Sequence, residues 1–423
     1  MLDPKMLREK ADVLRRNVVL RKATVDIDHL LVLDERRLAL TRTLEELRRE
    51  RNEVAEMMKM VSVEERPALI ARGKRLKEAL GAQEEEYAAV QDEWRGLFTR
   101  LPNLTHPNTP EGDSDRENQE VRCVGEIRPL PFTPRSHVEL AQRHDLIDFV
   151  RGAKVSGAKF YFLKGKLALL EQALITYALD MIHREGYEVL TTPDVAKEAV
   201  LVGKGFLPRG PEKQVYYVEE QDLALVGTSE ITVLGYHMDE VLAAEELPKR
   251  YVAFSHCFRT EAGAYGRESY GLYRVHQFSK VEMFAFVEPE QSEAVHLEFL
   301  RLQELFWKSL EIPYRVVDCC TGDLGGSDYR RYDIEAWMWG KNEGKGGWGE
   351  VTSTSNCIDY QARGLQIKYE AKEGSKDYVH TLNGTVVATP RALLAILENY
   401  QQDDGTILIP EVLKRYCGFE KIG

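Results

Sequence analysis

Between Ser255 and Phe286 the chain reads SHCFRTEAGAYGRESYGLYRVHQFSKVEMFAF, with arginine, glutamate, lysine and aromatic residues recurring at alternate positions. The pattern predicts two antiparallel strands joined by a long polar loop. Period-two alternation puts Cys257, Arg259 and Glu261 on one face of the first strand. In the second strand Arg274, His276, Phe278, Lys280 and Glu282 share a face. A sheet floor with fixed guanidinium and carboxylate groups and one ring can bind a nucleotide and an amino acid together. The same alternation also serves a solvated face with cross-strand ion pairs, and the hairpin taken alone favours that plainer use.

Three further stretches carry groups capable of chemistry. Thr228-Ser229-Glu230 follows the apolar run Leu223 to Val226. On a strand Thr228 and Glu230 would fall on the same side, a hydroxyl and a carboxylate spaced to hold an ammonium group. Glu350-Val351-Thr352-Ser353-Thr354-Ser355-Asn356-Cys357 is a polar run after a glycine-rich stretch, Gly340 to Gly349. That stretch does not meet G-x-x-x-x-G-K-[ST], so it reads as a surface loop and not as a phosphate cradle. His380 to Ala388 is strand-like. Thr389-Pro390-Arg391 then supplies an N-cap, an N1 proline and a cation, and the helix that follows buries Leu393, Leu394, Ile396, Leu397 and Tyr400. On its own, Arg391 would merely reach solvent.

The elements that must position these groups are legible in outline. At 423 residues the chain exceeds one ordinary core, so two domains are expected. Leu33, Leu40, Leu44, Leu47, Val54, Met58 and Val61 form a heptad seam, which resumes after Pro67 through Leu69, Leu76, Leu80, Tyr87, Val90, Trp94, Leu97 and Leu101. Folded about the turn, this is an antiparallel coiled-coil hairpin over about residues 33–101, roughly 45 Å long. Between Asp34 and Leu80 it holds 12 Lys/Arg against 10 Asp/Glu, on a chain of net charge -12. Such hairpins serve as spacers or dimerisation arms, and charge alone leaves that reading ahead. Residues 102–120, with three prolines and three asparagines, read as a linker; residues 121–423 form the second domain. Ahead of it stands an N-terminal domain of residues 1–101.

Composition excludes several classes. Charged residues make up 30% and mean hydropathy is -0.39, and no run of some 18 apolar residues offers a membrane span. The N-terminus shows no signal or transit pattern, so a cytoplasmic address is expected. Six cysteines form no C-x-x-C pair, which fits reduced thiols better than disulfides or zinc. The net negative charge argues against indiscriminate coating of nucleic acid.

Phe258-Arg259-Thr260-Glu261, the glycine-bearing loop and Arg274-Val275-His276-Gln277-Phe278 resemble motif 2 of the class II aminoacyl-tRNA synthetases. The wording through Lys280-Val281-Glu282-Met283 resembles that of the seryl-tRNA synthetases, and the resemblance runs from Met1-Leu2-Asp3 to the final helix. It implies an α+β fold, a class II antiparallel sheet flanked by helices and preceded by a coiled-coil arm. It implies ATP-dependent activation of L-serine to seryl-adenylate, with Mg²⁺, and transfer of the seryl group to tRNA(Ser). Serine would be held by Thr228, Ser229, Glu230, Asn383 and Thr385 with Arg259 and Glu282. ATP would meet Arg259, Thr260, Glu261, Arg274, Val275 and Phe278, the run Glu350, Val351, Thr352 and Ser353, and Arg391. Arg391 would grip adenine with Phe278, and Glu350 would serve Mg²⁺. Arg259, Glu282 and Arg391 would be central to catalysis. The arm, through Arg48, Arg49, Arg72 and Arg75, and the motif 2 loop, through Arg267, would hold tRNA.

The helix Leu167 to Met181, then Gly186 and a strand ending near Pro193, resembles motif 1 and implies a homodimer. This chain departs from the family wording at Trp339, Gly364, Thr385 and Pro390. Two other classes stand beside this reading. A ligase loading an amino acid onto a carrier protein would lack the arm, which is present. An inactive RNA-binding paralogue would have lost Arg259, Glu282 or Arg391, and all three are present.

Overall fold

The computed structural model describes residues 1–206, 215–261, 271–371 and 374–423. They fall into two compact units, Asp3–Leu101 and Pro102–Gly423, the second also holding Met1–Leu2.

The smaller unit is helical. Two short helices, Pro4–Glu9 and Ala11–Leu20, precede two long antiparallel ones, Ile27–Met60 and Arg66–Phe98. The first long helix starts six residues before the expected seam, because Asp26 caps it by accepting from the Asp28 and His29 amides. Pro67 lies in the first turn of the second, where a missing N–H costs nothing. Leu40, Leu44 and Val54 bury against the face of Leu76, Leu80 and Val90. Arg36–Glu86, Arg48–Glu84 and Glu50–Arg72 ion pairs flank this seam. At its base the fully buried Asp34 takes Arg8 at 2.5 Å and Arg37 at 2.8 Å. The Arg37 guanidinium lies 4.6 Å over the Trp94 ring, and Trp94 stacks on Phe98.

The larger unit is built on one eight-stranded sheet. Its strands are β1 (Gln119–Val124), β2 (Glu188–Thr191), β3 (Lys249–Phe258), β4 (Gln277–Val287), β5 (Tyr314–Asp318), β6 (Arg330–Met338), β7 (Gly347–Asn356) and β8 (His380–Ala388). Their spatial order is β1-β5-β6-β7-β8-β4-β3-β2. Every neighbouring pair is antiparallel except β3 and β2, which run parallel at one edge. The central strand β4 is buried on both faces, and its period sorts its side chains. Val281, Met283, Ala285 and Val287 enter a core shared with the helices Lys166–Arg184, Ser292–Ser309 and Thr389–Asn399. Phe284 and Phe286 enter a second core with Tyr251, Ala253 and Leu365. Each such aromatic contributes about 1.5–3 kcal/mol by leaving water. Further along that second face the apolar filling stops at Glu282, and a cavity begins.

Several sequence expectations are corrected here. The hairpin strands are shorter than alternation predicted: β3 ends at Phe258 and β4 starts at Gln277. Arg259, Glu261, Arg274 and His276 lie beyond the ladder, and Glu261 has φ +49°, which breaks the period. His276 leaves the expected face: its Nδ1 bonds the Arg259 carbonyl at 2.8 Å and its ring packs against Phe160 and Tyr216. Thr228-Ser229-Glu230 is not on a strand. Thr228 caps the helix Ser229–Tyr236, its hydroxyl accepting from the Glu230 amide at 3.2 Å. Thr389 is no cap either; it is the first helical residue, and its hydroxyl donates to Glu171 at 2.6 Å. The glycine-rich stretch is only partly a loop, since the β6–β7 ladder runs to Met338 opposite Gly347. Residues 102–118 contain no helix beyond a single turn, yet they are pinned. Buried Asn103 donates from Nδ2 to the Ser327 and Cys357 carbonyls, both at 2.9 Å.

Candidate active site

The cavity above Glu282 has a volume of ≈ 450 Å³, within the range of small-molecule sites. Its floor is the face on which Phe278, Lys280 and Glu282 of β4 follow one another, with Thr385 of β8 directly opposite Glu282. Asn383 of β8 pairs with Ser355 of β7, and both line it. Three strands thus hold these groups at fixed ladder spacings, which removes the entropy of arranging them.

At one end two buried carboxylates stand side by side, each with its own lysine. Glu282 Oε2 takes Lys280 at 2.7 Å, the Thr228 hydroxyl at 2.6 Å and the Ser229 hydroxyl at 3.3 Å. Its Oε1 has the Thr385 hydroxyl at 3.4 Å. Burial pushes the Glu282 carboxyl up, but the Lys280 ammonium and the Thr228 hydroxyl overcome it, and the group ends below its ordinary value. Glu230 Oε1 accepts from Gln361 at 2.6 Å and Asn383 at 2.8 Å, and Oε2 meets Lys204 at 2.7 Å. The cap at Thr228 is what turns Glu230 inward in the first turn of its helix. Ser229 is buried behind the wall and supports Glu282.

Arginines dominate the other groups. Arg259 Nε donates to the Gly227 carbonyl at 3.2 Å, and the guanidinium lies 5.4 Å from the Phe278 ring. Arg391, in the first turn of its helix, lies 4.7 Å over the Tyr273 ring and contacts Glu350 at 3.2 Å. The ring that Arg391 lies over is thus Tyr273, and Phe278 has Arg259 beside it. The Arg391 guanidinium holds the Glu350 carboxyl below its ordinary value against the effect of burial. Glu261 pairs with Arg274 at 3.4 Å. Val275, Val351, Thr352 and Ser353 line the same cavity, whereas Thr260 lies off its wall. Arg267 lies outside the described residues.

Glu350 is the carboxylate open to a metal: its side chain is 44% exposed and ionised. A hard cation with oxygen ligands fits such a group. Cys319, Asp323 and Asp333 also lie close enough to share an ion. Arg331 already occupies that cluster, at 2.6 Å from Asp323, 3.0 Å from Asp333 and 3.3 Å from the Cys319 sulfur.

In the helical unit, Arg48 pairs with Glu84 at 2.9 Å, Arg72 with Glu50 at 3.4 Å and Arg49 with Glu53 at 3.9 Å. Arg75 is exposed. Lys204, Tyr273, Asp328 and Arg331 line the cavity and were not singled out by sequence. Lys204 comes from a short helix whose sequence carries no chemical pattern. Tyr273 was within reach, since it adjoins Arg274 in the hairpin. Gly364 is explained: a Cβ there would stand 1.9 Å from the Gly203 carbonyl oxygen, so no larger residue fits.

The match to known proteins follows this geometry. Residues 1–105 match the model of the seryl-tRNA synthetase N-terminal domain. Residues 215–400 match the class II tRNA synthetase core domain of the G, H, P, S and T enzymes. A serine–tRNA ligase of Treponema denticola is 49% identical over 424 residues, covering 100% of both chains. The chain belongs to the seryl-tRNA synthetase family. A family member from Rubrobacter xylanophilus is also 49% identical, covering 100% of this chain and 99% of its own. Among solved structures, the seryl-tRNA synthetase of Pyrococcus horikoshii complexed with ATP superposes with a TM-score of 0.87 at 37% identity. It covers 100% of this chain and 99% of that one. The cytoplasmic serine–tRNA ligase of Naegleria fowleri in complex with AMP gives 0.83 at 31%, over 100% and 98%. The class II core and the helical N-terminal unit are thus the family's architecture.

Proposed function

We infer that this chain activates L-serine with ATP and transfers the seryl group to tRNA(Ser). The observation that carries this is one ≈ 450 Å³ cavity in which Glu230, Glu282 and Arg259 converge. A carboxylate for an ammonium group, a carboxylate for a hydroxyl and a guanidinium for a carboxylate together describe serine. Arg391, Phe278 and Tyr273 supply a cation and two rings for a nucleotide.

In this reading the serine carboxylate attacks the α-phosphate of ATP and pyrophosphate leaves. The terminal ribose hydroxyl of tRNA then takes the seryl group from the adenylate. Neither transfer requires a protein general base; positioning and stabilisation of the phosphoryl oxygens suffice. Arg259 bridges the reacting carboxylate and phosphate, and Glu261 and Arg274 meet the nucleotide. Glu350 would hold a Mg²⁺ ion, which would supply positive charge to offset the phosphates. The helical arm holds tRNA, and the chain acts in the cytoplasm; among the described residues no helix is long and apolar enough to cross a membrane. Serine-dependent ATP–pyrophosphate exchange with no tRNA present tests the reading; its absence would favour an inactive paralogue.

Selectivity follows from Glu282. Its Oε1 has only the Thr385 hydroxyl, at 3.4 Å, and so has room for a substrate hydroxyl. Alanine would leave that ionised, buried oxygen with the long Thr385 contact and without a substrate hydroxyl. Its kcat/KM in exchange is expected to fall on the order of 10⁴-fold below that of serine. Comparable exchange with the two amino acids would end this assignment of Glu282.

We also propose that the chain works as a homodimer. Exposed Leu169 on the helix Lys166–Arg184, Val189 on edge strand β2, and Val150 and Val155 on the helix Phe149–Ser156 support it. Leu169→Asp is expected to shift light-scattering mass from about twice the 48.4 kDa chain toward one chain. A wild-type mass of one chain would overturn the proposal.

A further inference from the structure

Lys204 has no task in the reading above, yet it touches the group that reading uses first. It ends the helix Glu198–Lys204, and its ammonium stands 2.7 Å from Glu230 Oε2, with side chains only 12% and 7% exposed. Glu230 Oε1 is already taken by the Gln361 and Asn383 amides. Lys204 is therefore the cation on the carboxylate that has to receive the substrate's α-ammonium group. Burial pulls the Lys204 ammonium toward neutrality, and Glu230 more than reverses this, so the lysine stays charged. Two ammonium groups cannot share one buried oxygen without strong repulsion.

The surroundings of Lys204 fix its backbone and leave its side chain an alternative. A Cβ on Gly203 would meet Leu365 Cδ2 at 2.4 Å, and one on Gly205 would meet the Tyr360 ring at 2.7 Å. The chain on both sides of Lys204 is thus packed against the helix Tyr360–Leu365, which approaches closely because Gly364 has no side chain. The helix end cannot swing, but the lysine stem can. The Phe206 ring, also in the cavity wall, lies 5.6 Å from the Lys204 ammonium, a second seat of the cation–π kind.

We propose that Lys204 is an internal stand-in for the substrate's ammonium group, seated on Glu230 in the free protein and displaced toward Phe206 when the amino acid binds. This rests on the serine-activating reading of the cavity. Binding is then an exchange of one ammonium for another. Glu230 is never left as a bare buried carboxylate, a state that is strongly disfavoured. The cost appears in the affinity for serine, which is reduced by the fraction of molecules whose site is open.

Lys204→Met separates this from a merely structural lysine. With the stand-in removed, the KM for serine in ATP–pyrophosphate exchange is expected to fall about tenfold, as for a lysine seated in about nine molecules of ten. The KM for ATP should not move. The serine-free protein should melt at a lower temperature, and serine should raise that temperature by more than in wild type. A lysine that only orients Glu230 predicts the opposite sign, a raised serine KM, and that result overturns the proposal. Phe206→Leu removes the second seat and keeps Lys204, so its serine KM should rise several-fold. If Lys204→Met does not fold, Phe206→Leu decides, and an unchanged KM there overturns the proposal. Wild-type protein with no serine-dependent exchange would instead refute the reading of the site itself.

Discussion

Arg259→Ala lowers serine-dependent ATP–pyrophosphate exchange on the order of a hundredfold or more, the expected cost of removing a charge-stabilising donor from a preorganised site. The geometry says why the loss is catalytic. Arg259 sits one residue beyond the end of β3, where its amide still bonds the His276 carbonyl at 2.9 Å. Its Nε is tied to the Gly227 carbonyl and its guanidinium lies 5.4 Å from the Phe278 ring. The side chain, which lines the cavity, is therefore anchored before substrate arrives. Lysine offers neither the planar fork nor a stacking surface, so Arg259→Lys restores little of the rate. Because Arg259 is only half-buried and belongs to none of the apolar cores, the fold should survive, and a wild-type melting temperature in both variants checks this. Exchange at the wild-type rate in Arg259→Ala would show this face to be solvated and idle.

What could be read in the sequence was what repeats or alternates. The heptad seam placed two helices and a turn, because a 3.5-residue spacing sustained over many turns has one economical explanation. The alternation from Phe278 to Glu282 gave the cavity floor, because β4 is regular there. The reading failed where local geometry interrupts a period. Thr228-Ser229-Glu230 follows an apolar run and continues it as a strand on paper. A threonine followed at once by serine and glutamate is equally a helix start, and the cap settles it. His276 left the expected face because the ladder ends at Gln277 and its ring nitrogen bonds the Arg259 carbonyl at 2.8 Å instead. Lys204 and Gln361 were invisible for a different reason. Their roles come from contacts between segments far apart in the chain, such as Gln361 with Glu230, and no spacing records such contacts. Gly364 looked like a departure, yet it is the residue that lets two helices touch.

Replacing Thr41–Tyr87 with a short flexible turn should leave serine-dependent exchange within about twofold of wild type while aminoacylation of tRNA(Ser) falls steeply. The cut points follow from the helical unit itself. Asp34, Arg8, Arg37, Trp94 and Phe98 form a closed base. Excising it would remove the buried Asp34 from its arginines and Trp94 from the base, whereas cutting above it keeps the Arg8–Asp34 and Arg37–Asp34 pairs and loses only exposed ones such as Arg36–Glu86. Beyond the base, Leu44, Val54, Leu76 and Leu80 are buried along the seam between the two long helices, so the segment can be removed together with its own core. The same surface predicts how tRNA is held. Arg48, Arg49 and Arg72 stand in exposed ion pairs with Glu84, Glu53 and Glu50, each worth no more than about 1 kcal/mol. Such pairs give way readily to phosphates, so the arm can bind a backbone by shape and charge without reading bases. Neutralising Arg48, Arg49, Arg72 and Arg75 together should weaken tRNA binding. It should also flatten the salt dependence by about 0.7–0.9 in slope for each phosphate no longer neutralised. Adenylation should be untouched. Full aminoacylation by the shortened protein would return the hairpin to the role of a spacer.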